Sequence, residues 1–243
     1  MELLYTGYHR YGGYGYVWDP TYFLVIIGLL LTLGASLLVK ATYAKYKTQH
    51  CMSGLTGAQA AERILRGAGI MDVRIQHISG DLTDNYNPST KVLSLSDSVY
   101  NSSSVAAVGV AAHECGHAIQ HAKEYAPIKV RTSLVPVVNF ASHASWPIIL
   151  LGTLMSWNQV LITIGIILFS ASVLFSLVTL PVEFDASHRA LKVLDQTGIL
   201  STREVGQARK VLGAAALTYV ASAAAMILQL LRLIMIFGGN RKK

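Results

Sequence analysis

The sequence predicts a mainly α-helical membrane protein with a small β element and about four transmembrane helices. Its 243 residues are 52% hydrophobic and only 14% charged, whereas soluble domains are about a quarter charged. Four long apolar runs are separated by polar segments, and a run of about 20 apolar residues can cross a hydrocarbon core. Two short stretches of strand-forming residues lie in the first large polar segment. This composition excludes an ordinary soluble domain.

The four apolar runs differ in how well they fit a membrane span. Residues 22–39 carry no charge, and this run is too long for the core of a cleaved signal peptide, so it predicts a retained anchor. Residues 134–156 are less apolar and contain two prolines. Residues 160–180 form a clean span, and residues 214–237 form a fourth. The expected result is four membrane helices, of which the second has the weakest pattern.

The distribution of basic residues predicts the orientation of these helices. Residues 40–131 hold ten Lys and Arg and residues 181–213 hold five more, whereas the turn at 157–159 holds none. Because short basic segments stay on the cytoplasmic side, both are expected in the cytoplasm of a multi-pass cell-membrane protein. The formal net charge of +7 then reflects topology and contact with anionic lipids. Basic and aromatic residues do not interleave, so no nucleic acid partner is expected.

Capping and turn residues predict the local elements of the first polar segment. Thr56 and Gln59 form a capping box that starts a helix. Residues 71–78 and 91–96 have strand character and are separated by turn-forming residues, which predicts a small β-hairpin or sheet. Residues 101–104 offer N-caps for the next helix. That helix contains the two histidines of the candidate site.

The strongest chemical signal is the sequence His-Glu-Cys-Gly-His at residues 113–117. Residues four apart share a helix face, so His113 and His117 can bind one zinc ion. Glu114 projects at a neighbouring angle, from which it can reach a water molecule at the metal without binding the metal. Cys115 points off the ligand face and is expected to pack. Because short motifs recur by chance, an amphipathic helix with histidines near a membrane surface fits these five residues equally well.

A catalytic zinc site needs a third protein ligand and one open position. The metzincin pattern would place a glycine at residue 120 and a histidine at residue 123, but the chain has Gln120 and Lys123. Glu183 directly follows the third span, and a hairpin of the second and third spans returns it to the membrane face of the histidine pair. It is therefore the expected third ligand. Pro181 also allows Glu183 to cap a helix N-terminus, and the two roles are compatible.

The two segments together resemble a known family. The stretches AAHECGHAIQ and PVEFDASHRA are similar to the YugP-type neutral zinc metallopeptidases of bacterial membranes, which are related in pattern to the HtpX and CAAX prenyl protease class. The similarity covers most of the chain, including LTDNYNP and LTYVASAAA. The resemblance implies one zinc ion per chain, with His113, His117 and Glu183 as ligands and Glu114 as the catalytic residue. It implies a zincin-like catalytic region, which the topology places on the cytosolic face.

One position departs from the HtpX-like pattern, in which an aspartate four residues after the ligand glutamate supports a ligand histidine. That position is Ser187 here, and Asp185 is spaced to pair with Arg189 instead. The sequence therefore leaves open which residues orient the histidines. A further group should stabilise the oxyanion. Arg189, His188 and Tyr219 are the candidates, and Arg189 is the predicted one.

These assignments divide the chain into eight segments. They are the N-terminal tail (1–21), transmembrane helix 1 (22–39), the catalytic region with the His-Glu-x-x-His helix (40–131), transmembrane helix 2 (134–156), transmembrane helix 3 (160–180), the third-ligand region (181–213), transmembrane helix 4 (214–237) and the basic tail (238–243). Ser201 and Glu204 form a second capping box, and the helix that starts there leads into the fourth span.

The predicted function is a membrane-embedded, zinc-dependent metalloendopeptidase with Glu114 as general base. Its partners are a peptide or protein substrate, which can itself be a membrane protein, and the lipid bilayer. Residues 92–95 fit either a strand that pairs with an extended peptide or an ordinary buried hairpin strand. Small residues spaced along the fourth span favour close helix packing, within the chain or in a homo-oligomer.

Two other functions fit parts of the sequence. A metal transporter would need buried acidic and histidine pairs within its spans, and His143 is the only histidine inside a predicted span. A non-catalytic membrane scaffold derived from a metalloprotease would keep the fold, but it has no use for Glu114. The scaffold is the alternative that stays open.

Overall fold

A computed structural model of the chain describes residues 19–238. The predicted N-terminal tail falls mainly on residues 1–18 and the predicted basic tail mainly on residues 239–243, so both predictions lie largely outside the described residues. In chain order the elements are α1 (Tyr22–Tyr46), α2 (Gly57–Gly67), β1 (Arg74–Ile78), β2 (Asn85–Asn87), β3 (Val92–Ser96), α3 (Asp97–Tyr100), α4 (Val105–Ala122), α5 (Ala126–Leu154), α6 (Gln159–Gln196) and α7 (Thr202–Phe237).

Four of these helices are long and apolar enough to cross a membrane, namely α1, α5, α6 and α7. The predicted fold, a mainly helical chain with four candidate membrane spans and a small sheet, is confirmed. Helix α5 packs on α6, α6 on α7 and α7 on α1, so the four helices form a row. Large apolar side chains such as Leu30, Phe140 and Leu174 are exposed on this row, as expected for surfaces that contact lipid.

The chain forms α4 because a run of small residues follows a good N-cap. The Ser104 side chain accepts a hydrogen bond from the backbone N–H of Ala107 at 3.2 Å, which satisfies one of the free donors of the first turn. The alanines that follow, including Ala111 and Ala112, are fully buried. Helix α4 contacts α6, α7, α2 and the sheet, so it is the element that joins the membrane row to the polar part.

The two predicted capping boxes are confirmed. Thr56 and Gln59 exchange side-chain and backbone hydrogen bonds at the start of α2. Ser201 and Glu204 do the same at the start of α7. Glu204 also accepts a hydrogen bond from the backbone N–H of Met52 at 2.7 Å. This second hydrogen bond connects the start of α7 to the segment that follows α1.

The three-stranded sheet confirms the predicted β element but corrects its pairing. Strands β1 and β3 are parallel, with Arg74 opposite Val92, so they do not form the hairpin that was one of the two predictions. The intervening segment is long enough to cross over, and it contributes β2, which pairs antiparallel with β3. The order β1-β3-β2 makes β3 the central strand. Both edges of β3 are therefore occupied at residues 92–94, and an added peptide cannot pair with these residues.

Helix α6 corrects a second prediction. The third span and the segment that carries Glu183 form one uninterrupted helix, Gln159–Gln196, with Pro181 inside it. Proline removes one backbone hydrogen bond from a helix interior, but here the helix continues because Val182, Ala186 and Ala190 are fully buried on its packed face. Glu183 is therefore not a cap at a helix N-terminus. The third membrane span and Glu183 therefore belong to one continuous helix.

Both cysteines, Cys51 and Cys115, are free and buried. The Cys115 thiol lies 3.7 Å from the carbonyl oxygen of Ala61 in α2, away from the histidine face of α4. Burial raises the pKa of the Cys115 thiol well above its ordinary value. The packing role predicted for Cys115 therefore fits its surroundings, since a neutral buried thiol is a poor nucleophile.

Candidate metal centre

Helix α4 places the two histidines of the motif one turn apart. The ring centroids of His113 and His117 are 4.8 Å apart, and the rings meet edge to face. His117 is buried and His113 is partly buried. The spacing of four residues thus produces the shared face that the sequence predicted.

Helix α6 brings Glu183 to the same point. Its Oε2 atom lies 3.3 Å from Nε2 of His113 and 3.6 Å from Nε2 of His117. The Glu183 side chain is almost completely buried. Within residues 19–238, these three residues are the one group of at least three His, Cys, Asp or Glu side chains that could hold a metal ion. Seventy residues of chain separate its two halves.

The distances from Glu183 to the two histidines fit zinc binding. Zinc binds histidine nitrogen and carboxylate oxygen at about 2.0–2.2 Å in tetrahedral geometry, which separates neighbouring ligand atoms by roughly 3.3–3.5 Å. The two observed nitrogen-to-oxygen distances, 3.3 and 3.6 Å, are close to that separation. Two histidines and one glutamate also leave the fourth position open, as in catalytic zinc sites. The residues present therefore fit the ion that the motif implies.

Gln120 fixes the ring of His117. Its amide nitrogen donates to the backbone oxygen of Val182 and to Oδ2 of Asp185, both at 2.8 Å. These two acceptors determine which end of the amide is nitrogen, so the amide oxygen faces Nδ1 of His117 at 3.1 Å. An amide oxygen only accepts hydrogen bonds. His117 must therefore carry its proton on Nδ1, which leaves the Nε2 lone pair free for a metal.

Ser187 supports the second histidine. Its hydroxyl lies 3.1 Å from Nδ1 of His113, while Nε2 of that ring points to Glu183. The position where the HtpX-like pattern has an aspartate is thus still a supporting position, with a hydroxyl in place of a carboxylate. Asp185 also contributes, but through Gln120 rather than directly. The sequence left open which residues orient the histidines. In the structure, Gln120 contacts His117 and Ser187 contacts His113.

Glu114 is buried beside the two histidines on α4. Burial raises the pKa of its carboxyl above the ordinary value, although the neighbouring His113 and His117 act in the opposite direction. A carboxyl with a raised pKa binds a proton more readily. This is the property required of a group that accepts a proton and later returns it.

The other predicted site residue, Arg189, contacts Asp185 and Tyr125. Its Nε donates to Oδ2 of Asp185, and its guanidinium carbon lies 5.4 Å from the centre of the Tyr125 ring. Arg189 is therefore the far end of the chain of contacts that runs through Asp185 and Gln120 to His117. Its assignment to the oxyanion stays a prediction.

Two other residues, Arg131 and Tyr219, lie beside the carboxylate of Glu183. Nη1 of Arg131, in α5, is 3.4 Å from Oε1 of Glu183. Tyr219, in α7, lines a cavity of about 240 Å³ together with His113 and Glu183. More than half of the residues that line this cavity belong to α1 and α7. The sequence named Tyr219 as a candidate but missed Arg131 and Gln120, because only the packing of α4, α5 and α6 brings them to the site.

Gly116, inside the motif, allows α4 and α6 to approach. A Cβ at this position would lie 2.5 Å from the backbone oxygen of Ala186 and 3.0 Å from its carbonyl carbon, distances that require the backbone to move. Ala186 is one turn from Glu183 on α6. A side chain at residue 116 would therefore push Glu183 away from the histidine pair.

We expect Gly116→Ala to lower both stability and zinc content. Overpacking of this kind costs about 1–3 kcal/mol, and the separation of α4 from α6 disrupts the ligand geometry. Gly67→Ala is the control, because a Cβ at Gly67, the last residue of α2, meets no atom within 4 Å. The measurements are the thermal unfolding midpoint and the zinc content of each purified variant. If Gly116→Ala matches the parent in both, the close approach of the helices is not what the glycine provides.

The fold and the site together define a class of protein, a multi-span membrane protein with a His-Glu-x-x-His helix and a glutamate contributed by a second helix. Residues 21–238 match the family described as "Putative neutral zinc metallopeptidase". The chain belongs to this family. It is 45% identical over 219 residues to the "Putative membrane protease YugP" of Bacillus subtilis (strain 168), an alignment that covers 90% of this chain and 97% of that protein. No solved structure matches the chain significantly. The family resemblance found in the sequence is confirmed.

Proposed function

We propose that this chain is a zinc-dependent metalloendopeptidase that cleaves peptide or protein substrates at the membrane surface. The observation that carries the proposal is the convergence of His113, His117 and Glu183 at ligand separations, with Glu114 buried beside them. One zinc ion per chain would be held by the first three residues. When bound, zinc polarises a peptide carbonyl and makes a water molecule more acidic.

Each residue of the site has a distinct task in this proposal. Glu114 accepts a proton from the attacking water and donates it to the departing amine. Gln120 and Ser187 hold the two histidine rings in the orientation that leaves Nε2 free. Arg131 contacts Oε1 of Glu183, so the other oxygen, Oε2, is the one directed at the metal position. The chain thus provides ligands, a base and the groups that orient them.

A carbonyl oxygen that gains negative charge needs a donor nearby. Arg131 and Tyr219 are the best-placed donors, because the first contacts Glu183 and the second lines the cavity beside it. Arg189, the residue predicted from the sequence, would have to leave Asp185 and Tyr125 to take this role. We propose that Arg189 instead stabilises the Asp185–Gln120 support.

Zinc removal tests the proposed activity directly. We expect the purified chain to contain about one zinc ion per molecule and to cleave an unstructured protein such as casein, or itself. Dialysis against a chelator should abolish cleavage, and added zinc should restore it, because the ion supplies the Lewis acid. The readouts are metal content and the rate of peptide-bond cleavage. A metal-free sample that cleaves as fast as the zinc-loaded one would contradict the proposal.

The same experiment separates the enzyme from a non-catalytic scaffold. A scaffold could bind zinc through the same three ligands, and it would then hold the ion without zinc-dependent cleavage. The buried carboxyl of Glu114 favours the enzyme, since a structural zinc site does not need a second carboxylate next to its ligands. Zinc content without cleavage of any substrate tried would favour the scaffold.

We propose that the site faces the cytoplasm, because the two basic segments, 40–131 and 181–213, contain its residues. Cysteine labelling tests this orientation, since Cys51 and Cys115 are buried and give little background. Lys123→Cys marks the exposed end of α4, and Gln159→Cys marks the exposed start of α6 at the opposite end of that helix's span. In intact cells a membrane-impermeant maleimide should label residue 159 but label residue 123 only after permeabilisation. The reverse pattern would contradict a cytoplasmic site.

A further inference from the structure

A groove between α1 and α7 lies on the surface of the protein, apart from the cavity at the metal centre. Its volume is about 460 Å³, and its walls include Leu38, Ala41 and Lys45 of α1 and Lys210 and Gly213 of α7. The cavity at the metal centre is lined by other residues of the same two helices, such as Val39 and Val211. The groove and the cavity therefore use different faces of one helix pair.

The groove is apolar at one end and basic at the other. Its apolar end borders the membrane spans, since Leu38 lies near the end of the uncharged part of α1 and Ala214 lies where the uncharged part of α7 begins. Lys45 and Lys210 lie beyond these limits, on the polar side. From Leu38 to Lys45 the helix rises about 10 Å, at 1.5 Å per residue. The groove thus extends across the boundary between hydrocarbon and water.

The two ammonium groups are available to an anion. In the described part of the chain, neither Lys45 nor Lys210 has a carboxylate within ion-pair distance. Lys45 lies 5.6 Å from the ring centre of Tyr46, and both lysines are exposed. Two cations from different helices at one end of an apolar groove create a local positive potential.

We propose that this groove binds an anionic phospholipid, with its phosphate at Lys45 and Lys210 and an acyl chain along the apolar part. The match rests on charge and on depth, because the cations lie at the level of the headgroups and the apolar walls lie at the level of the chains. Basic pockets between membrane helices bind anionic headgroups in this way. Gly213 borders open space in the groove, since a Cβ there would meet no atom within 4 Å. This site is independent of the proposed peptidase activity.

Native mass spectrometry of the full chain in detergent tests the proposal. The probes are phosphatidylglycerol and phosphatidylcholine with identical acyl chains. We expect the parent protein to retain the anionic lipid roughly tenfold or more over the zwitterionic one, as two basic residues near an anionic headgroup allow. Lys45→Gln/Lys210→Gln should lose this preference. Lys123→Gln/Lys192→Gln removes the same net charge from exposed positions outside the groove and should keep it.

A second pair of variants tests the shape of the groove. Gly213→Leu should fill the apolar part and reduce the retention of both lipids several-fold. Gly206→Leu is matched, because it is on the same helix and its Cβ would also meet no atom within 4 Å, but it lies outside the groove. Equal retention of the two lipids by the parent would overturn the proposal. So would an unchanged preference after loss of both lysines, or equal effects of the two leucine substitutions.

Discussion

Glu114→Gln is expected to abolish peptide hydrolysis while zinc stays bound. The amide has nearly the shape of the carboxylate but cannot accept a proton, so the rate should fall by at least 10²–10⁴-fold, the usual contribution of a general base. The three ligand residues are unchanged, and burial of a neutral amide beside His113 and His117 costs less than burial of a charge. The readouts are the cleavage rate at equal zinc occupancy and the zinc content of the purified variant.

Glu204→Gln is the matched control for this prediction. Glu204 is also a buried glutamate, with 7% of its surface exposed against 8% for Glu114, but its partners are Ser201 and Met52 at the start of α7. This variant should retain both zinc and activity, with some loss of stability at the helix cap. If Glu114→Gln cleaves as fast as Glu204→Gln, the proposed base is wrong, whatever the metal content.

Glu183→Ala is expected to cost the protein its zinc. The substitution removes one of the three proposed ligands and leaves the guanidinium of Arg131 without its carboxylate partner. Loss of a group that merely supports a ligand lowers metal affinity about 10–100-fold, so loss of the ligand itself should exceed that range. The measurement is zinc content after purification, followed by a competition titration with a chelator of known affinity. Hydrolysis should fall in parallel, because the ion is absent.

Asp195→Ala provides the comparison for Glu183→Ala. It removes a carboxylate from the same helix, α6, at an exposed position near the C-terminal end. Its zinc content and activity should equal those of the parent. An unchanged zinc content in Glu183→Ala would remove this residue from the ligand set and would leave α6 without a role in metal binding. Taken with Glu114→Gln, which keeps the metal, the two variants separate a ligand from a base.

Local patterns in the sequence were sufficient for much of this protein. The lengths of the apolar runs predicted four membrane helices, and four long apolar helices are present. The spacing of His113 and His117 predicted a shared face, because four residues make about one helical turn. Glu183 was reachable by sequence reasoning since a hairpin of two spans must return the chain to the same side. Each of these inferences needs only the geometry of one helix or one turn.

The tertiary structure decided everything that depends on how separate elements meet. The pairing of Gln120 with Asp185 and the approach of Arg131 to Glu183 join residues more than 50 positions apart, and no local pattern encodes such contacts. Packing also kept α6 helical through Pro181, where local preference predicted a helix start. The spacing of apolar residues predicts which face of a helix is buried. Which element packs against that face depends on the packing of the whole chain. The sequence therefore predicted the three candidate ligands, and the fold determined which residues contact them.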